Sequence, residues 1–207
     1  KNYLAHQGRV VPPIEGDNLM SWASTPKLNG IFLYSYLTAK DLVVETIDNY
    51  AYERDTFIEL LKENPKAVII STTFIYRKKD LRQLVAEIRS LAPDIFIIAG
   101  GQFVYISYLI LKKSREPVYK AGSIHDDYLF FNNNEPTVDL YIISLRGEEI
   151  LVEALRRLKS SRSFEDLPNS ACQQGSTYDF TNQIDDISNA EELYIDWNVL
   201  PERFFKS

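Results

Sequence analysis

Residues 67–73 read Ala-Val-Ile-Ile-Ser-Thr-Thr, and residues 94–102 read Asp-Ile-Phe-Ile-Ile-Ala-Gly-Gly-Gln. Each holds an apolar run rich in β-branched residues, Ala67–Ile70 and Ile95–Ala99. Both runs are too short for ordinary helices and are flanked by turn residues, so each is expected to be a buried strand. Between them Leu81, Leu84, Val85, Ile88 and Leu91 recur at helical spacing. Strand, helix, strand, with both strands apolar on both faces, is a βαβ unit in a parallel sheet. The strand ends, Ser71-Thr72-Thr73 and Gly100-Gly101-Gln102, then share one edge of that sheet. In open α/β sheets ligands bind outside that edge.

The bulk properties narrow the function classes. At 207 residues the chain is one ordinary domain, with or without an appendage. An apolar content of 45% rules out wholesale disorder. The net charge of −6 argues against a nucleic-acid partner, because a phosphate-binding surface carries a basic excess. Cys172 is the single cysteine, which excludes an internal disulfide or a multi-cysteine metal or cluster site and fits a cytoplasmic setting. No apolar run approaches the roughly 18 residues of a membrane span. The N-terminal Lys-Asn-Tyr-Leu-Ala-His is no signal peptide. The chain does not begin with Met, so it is expected to be a piece of something longer.

Working outward, a first strand is expected within residues 1–11 and a loop over 14–25, with Met20 and Trp22 as packing anchors. Ser24-Thr25-Pro26 starts a helix, a hydroxyl cap followed by proline at the first helical position. Leu28, Ile31, Phe32 and Tyr36 face inward. Asn29 and Gly30 fall in its first turn, where a glycine is either tolerated or marks close approach by backbone or ligand. Leu42–Ile47 is the next expected strand, and Arg54–Asn64 a helix stopped at Asn64-Pro65. After the central unit, Phe103–Lys113 is a buried helix. Val118–Lys120 and Tyr128–Phe131 are expected to pair as a hairpin. His125-Asp126-Asp127 is not assigned a metal, because neighbours on a strand point apart and no second ligand cluster exists. Asp139–Ser144 is a last strand, and Arg146-Gly147-Glu148-Glu149 turns into a helix with Ile150, Leu151, Ala154, Leu155 and Leu158 inside. Glutamates in that first turn suit the helix dipole.

The expected fold is therefore α/β, a flavodoxin-like, doubly wound, five-stranded parallel sheet over residues 1–162. Its strands lie near 1–11, 42–47, 67–71, 95–99 and 139–144. No Lys or Arg lies between Arg162 and Arg203. Residues 163–207 are expected to be an acidic connector or tail packing on another domain, with a small hairpin of Ala171–Cys172 and Thr177–Phe180.

Several users of such a fold fail on their required residues. A phosphoacceptor receiver needs an aspartate after the third strand and a lysine after the fifth; here stand Ser71-Thr72 and Leu145-Arg146. A flavodoxin needs a phosphate loop after the first strand, which Arg9-Val-Val-Pro-Pro does not supply. A dinucleotide site needs G-x-G-x-x-G, and Gly100-Gly101-Gln-Phe-Val-Tyr lacks the third glycine and the spacing. What remains is an edge of small groups: Ser71, Thr72, Thr73, Gly100, Gly101, Gln102, Ser144 and Gly147. Glycine admits a planar ligand to the backbone, and hydroxyls bond a polar rim without charge. That suits a large, uncharged, amide-rich cofactor; small residues also make tight strand-to-helix turns, and both readings stand.

The order of segments adds to this. Pro26-Lys-Leu-Asn-Gly-Ile-Phe-Leu-Tyr-Ser-Tyr-Leu resembles the first helix of the cobalamin-binding domain that precedes the barrel in many radical SAM enzymes. Lys66-Ala-Val-Ile-Ile-Ser-Thr-Thr-Phe is similar to that family's third strand, and Ile97-Ile-Ala-Gly-Gly-Gln-Phe to its glycine pair after the fourth. Asp139-Leu-Tyr-Ile-Ile-Ser-Leu-Arg-Gly-Glu-Glu resembles its fifth-strand Gly-Glu signature, and Leu167-Pro-Asn through Leu200-Pro201 resembles the connector into the barrel. The resemblance implies a Rossmann-like cobalamin-binding module, non-catalytic alone, of an enzyme whose class includes methyltransferases. It implies cobalamin and a downstream radical SAM domain as partners. Ser71, Thr72 and Thr73 would bond the corrin amides or the nucleotide tail. Gly100, Gly101 and Gln102 would border the ring or the base, Ser144, Gly147 and Glu148 would close the far side, and Asn29 and Gly30 would meet the ring from the first helix. Two departures bear on it. The Asp-x-His-x-x-Gly motif is absent, and neither His6 nor His125 stands in such a context, so cobalamin would bind without a protein histidine ligand. The cysteine triad for an iron–sulfur cluster cannot be here, so the cluster and S-adenosylmethionine would belong to an absent domain. The alternative is a degenerate, cofactor-free interaction or scaffold domain of the same fold.

Overall fold

A computed structural model describes residues 28–117, 126–131, 138–175, 177–185 and 195–200. The expected strand within 1–11, Met20, Trp22, His125 and Val118–Lys120 lie outside these residues. The chain divides into two compact units, Lys1–Phe57 with Ala190–Ser207, and Ile58–Asn189.

In the first unit, helix α1 (Leu28–Ala39) buries Ile31, Ser35, Tyr36 and Leu37. The expected strand at 42–47 does not form a ladder. Its alternation survives as an exposed Val43 and Glu45 between half-buried Leu42, Val44 and Thr46, but a strand needs a pairing partner and none of the described residues supplies one. The stretch ends in a turn where the Glu53 carboxylate accepts the Asp48 and Asn49 N–H groups at 2.7 and 2.8 Å. The Tyr50 ring meets Phe57, the buried residue of α2 (Arg54–Lys62), edge to face. The segment 195–200 packs on α1. Leu200 joins Ile31, with Tyr34 and Ile195 alongside, and the Asp196 N–H donates to Ser35 Oγ at 2.8 Å.

The second unit is a βαβαβ run closed by a hairpin. β1 (Ala67–Ser71) leads through a 3-10 turn (Thr72–Phe74) to α3 (Lys78–Leu91), then β2 (Phe96–Gly100), α4 (Gln102–Ser114), β3 (Leu140–Ile142) and α5 (Glu148–Ser160). β4 (Ser170–Gln174) and β5 (Thr177–Phe180) follow. The sheet order is β1-β2-β3-β4-β5. β1, β2 and β3 are parallel in the register Ser71–Gly100–Ile142, whereas β4 and β5 add antiparallel. The sheet is thus mixed, not the all-parallel one expected. The stretch after Arg162 is not only a tail, because its hairpin extends the sheet from β3, and a boundary at 162 would cut that sheet. Gly175, at φ +59°, turns the hairpin. Tyr128–Phe131 is a turn, not a strand, with Phe130 at φ +69°.

The core sits on both faces of β2 and β3. Ile97, Ile98, Ala99 and Leu140 are fully buried, under Leu81, Val85 and Ile88 of α3 and Val104 of α4, with Leu151, Val152 and Ala154 of α5 buried as well. At the edge where β2 starts, the Asp139 carboxylate accepts the Ile97 N–H at 2.7 Å and pairs with Arg89 at 2.6 Å. Arg89 also donates to the Pro93 and Ile95 carbonyls. Asp139 thereby ties α3, β2 and the entry to β3. Asp139→Ala is expected to destabilise the unit by about 1–2 kcal/mol, measured by urea unfolding, because one carboxylate serves a backbone donor and a half-exposed charge.

Candidate functional site

Three parallel strands in register bring three strand-to-helix turns to one edge, with β2 in the middle. Thr72 is fully buried. Its Oγ1 donates to the Gly100 carbonyl at 2.9 Å and accepts the Val104 N–H at 3.3 Å. Val104 is the third residue of α4, and Gly101 before the helix has no side chain to cap it, so Thr72 provides the cap from the turn after β1. This hydroxyl is committed to the protein. Thr72 shapes the edge and is not a free donor toward a ligand. Ser71 Oγ and Thr73 Oγ1 lie 3.2 Å apart, half-buried, on either side of it.

Gly101 holds φ +104° and ψ −166°, a region essentially closed to other residues. A Cβ there would lie 3.3 Å from the Thr72 nitrogen and 3.3 Å from Thr73 Oγ1. Gly100 has no such backbone demand, and its Cβ would stand 3.4 Å from that of Ile142. A side chain at 101 would strain the fold itself, so a substitution there reads stability rather than binding. Gln102 follows, exposed. Beyond β3, buried Ser144 accepts the Arg146 N–H at 2.9 Å, forming a hydroxyl turn. A Cβ on Gly147 would come 2.6 Å from Ile142 Cγ2, so glycine there is a packing requirement. Glu148 and Glu149 open α5 where the dipole favours them.

The edge therefore brings together Ser71, Thr72, Thr73, Gly100, Gly101 and Gln102, with Ser144, Gly147 and Glu148 on the neighbouring turn. Asn29 and Gly30 belong to the other unit. There a Cβ on Gly30 would lie 3.6 Å from Thr46 Oγ1 and 3.9 Å from an Asp48 carboxylate oxygen, ordinary contacts that do not demand glycine.

Sequence reasoning missed the apolar side chains of this edge. Phe74 and Tyr76 after β1 and Leu145 after β3 are exposed, Tyr76 by 69% and Leu145 by 57%. A large apolar residue next to a strand reads as core, so nothing in the pattern separated them. It missed Lys78 as well. A Lys-Lys pair opening a helix reads as solvated charge, yet Lys78 is 4% exposed, its Nζ donates to the Phe131 carbonyl, and burial lowers its pKa to about 8. Phe103, which follows Gln102 at the start of α4, is buried. The Cys172 thiol is pushed up by burial, then by Asp179 and Glu165, so it is a poor thiolate nucleophile. Among the described residues no cluster of His, Cys, Asp and Glu could hold a metal, and no helix is long and apolar enough to cross a membrane.

No protein family and no curated protein matches the chain. Among solved structures, two of the radical S-adenosylmethionine methyltransferase TsrM from Kitasatospora setae are similar to it. One, with tryptophan substrate and a SAM analogue bound, shows a TM-score of 0.49 and 16% identity over 76% of this chain and 27% of that one. The other, with cobalamin and a [4Fe-4S] cluster bound, shows a TM-score of 0.49 and 15% identity over 77% of this chain and 26% of that one. The chain spans about a quarter of the length of those structures.

Proposed function

We propose that this chain is a cobalamin-binding module of a radical SAM enzyme, non-catalytic alone, of a class that includes methyltransferases. The observation that supports it most is the make-up of the edge. A floor of Gly100 and Gly101 at the middle strand carries no side chain, neutral hydroxyls of Ser71 and Thr73 flank it, and exposed Phe74, Tyr76 and Leu145 follow the strands on either side. A corrin is a wide plate with an apolar face and an uncharged amide rim, and this set of groups fits it: flat backbone for the face, hydroxyls and backbone N–H for the amides, apolar side chains for the ring edge. Bound cobalamin supplies a cobalt centre able to carry a methyl group. The chain's own part is to hold and orient it. In this reading Ser71 and Thr73 bond the rim, Gly100, Gly101 and Gln102 border the ring or base, and Ser144, Gly147 and Glu148 close the far side. The ordered motifs from Pro26 to Pro201 support the same assignment.

The test is a visible-spectrum titration with hydroxocobalamin and methylcobalamin, followed by gel filtration. Absorbance retained near equimolar ratio is expected, and Leu145→Asp, an exposed position, should weaken retention at least ~10-fold with unchanged thermal stability. A folded, colourless protein from the full-length parent would favour the cofactor-free scaffold instead.

A further inference from the structure

The turn 126–131 is held by four elements. The Tyr128 ring stacks on Phe103 of α4, 6.1 Å between centroids. The Leu129 N–H donates to buried Ser107 Oγ at 3.2 Å. The Phe130 ring meets Tyr141 of β3 and Tyr178 and Phe180 of β5 edge to face, at 5.1, 5.4 and 5.1 Å. Lys78 of α3 closes the set by donating to the Phe131 carbonyl.

Two features of this closure are unfavourable in themselves. Phe130 sits at φ +69°, where a bulky residue is strained. Lys78 places an amine in the first turn of α3, at the positive end of the helix dipole and out of water. A structural residue there would be a methionine or leucine. We propose that the turn 126–131 is a latch beside the glycine edge, closed by the Lys78–Phe131 bond and opening as a unit to uncover Phe103 in the first turn of α4. Phe103 follows Gly101 and Gln102 directly, so the latch controls access to the side of the edge nearest the middle strand. This holds for any ligand the edge takes.

The charges around Lys78 are Arg82 on its own helix, which disfavours its proton, and Asp126 on the turn, which favours it; the neighbouring Arg77 is paired with Asp80 and more weakly attracted by Asp127. With the pKa lowered to about 8 from 10.5, the unfolded chain holds more protons between those values. Stability therefore rises with pH across that window, and a neutral amine still donates to the carbonyl. The latch should close more firmly above pH 8 and carry the cost of a buried charge below it.

Native-state hydrogen exchange tests this on the intact chain. In the wild type, the Leu129 amide should exchange at least ~10-fold faster than those of Ile98 and Ala99, with little urea dependence. Lys78→Met should speed Leu129 by a further ~10-fold without changing Ile98, and should abolish the gain in urea stability between pH 8 and 10. A Leu129 amide that exchanges in the wild type only with the core strands, at the same rate and urea dependence, would overturn the latch. So would a folded Lys78→Met protein with wild-type Leu129 protection.

Discussion

Gly101→Ala unfolds at a temperature roughly 10 °C lower than the wild type, a loss of about 2–3 kcal/mol. The backbone at φ +104° and ψ −166° is open to glycine alone, and the new Cβ would press on the Thr72 nitrogen and Thr73 Oγ1 at 3.3 Å each. Gly100→Ala, one residue earlier, is the control. It lacks the unusual backbone, its Cβ meets Ile142 at 3.4 Å, and it should cost at most about 1 kcal/mol. Equal effects at the two positions in a thermal melt would show that the turn after β2 is not the strained element described. The comparison matters for function, because the same glycine turn that starts α4 is the floor of the proposed site. Evidence for binding must therefore come from exposed positions such as Leu145.

Thr72→Val costs about 2–4 kcal/mol, since one buried hydroxyl serves both the Gly100 carbonyl and the Val104 N–H. Valine keeps the shape and removes both bonds. Thr72→Ser keeps the bonds, loses a methyl group and should cost about 1 kcal/mol. Urea unfolding of the pair separates the hydroxyl from the packing. A valine variant as stable as the serine variant would mean that the hydroxyl does not tie β1 to β2 and α4.

The βαβ centre was legible because its signals are local. Two β-branched runs with a 3.6-residue period between them admit few arrangements, and β1, α3 and β2 form where the pattern places them. The sheet's outer half was not legible in the same way. Ala171–Cys172 and Thr177–Phe180 read as a small hairpin, which forms over Ser170–Gln174 and Thr177–Phe180, but nothing local says which sheet a short hairpin joins. Leu42–Ile47 shows the converse, since alternation alone does not make a strand without a partner. At the candidate site, the small residues were visible and their division of labour was not. Thr72 and Ser71 look alike in sequence; one is buried and spent on the backbone, the other is half-buried at the rim. Only the register of β1 against β2 decides that. Lys78 carries its meaning entirely in a contact 53 residues away, which no local pattern encodes.

The central claim is that a corrinoid rests on the edge formed by β1, β2 and β3. Amide hydrogen exchange with and without an equimolar excess of hydroxocobalamin reads this directly. The account predicts slowed exchange confined to the three turns, residues 72–77, 101–104 and 144–149, with the strands and the far ends of α3 to α5 unchanged. Protection elsewhere, or no protection at any cobalamin concentration that colours the protein, would contradict it.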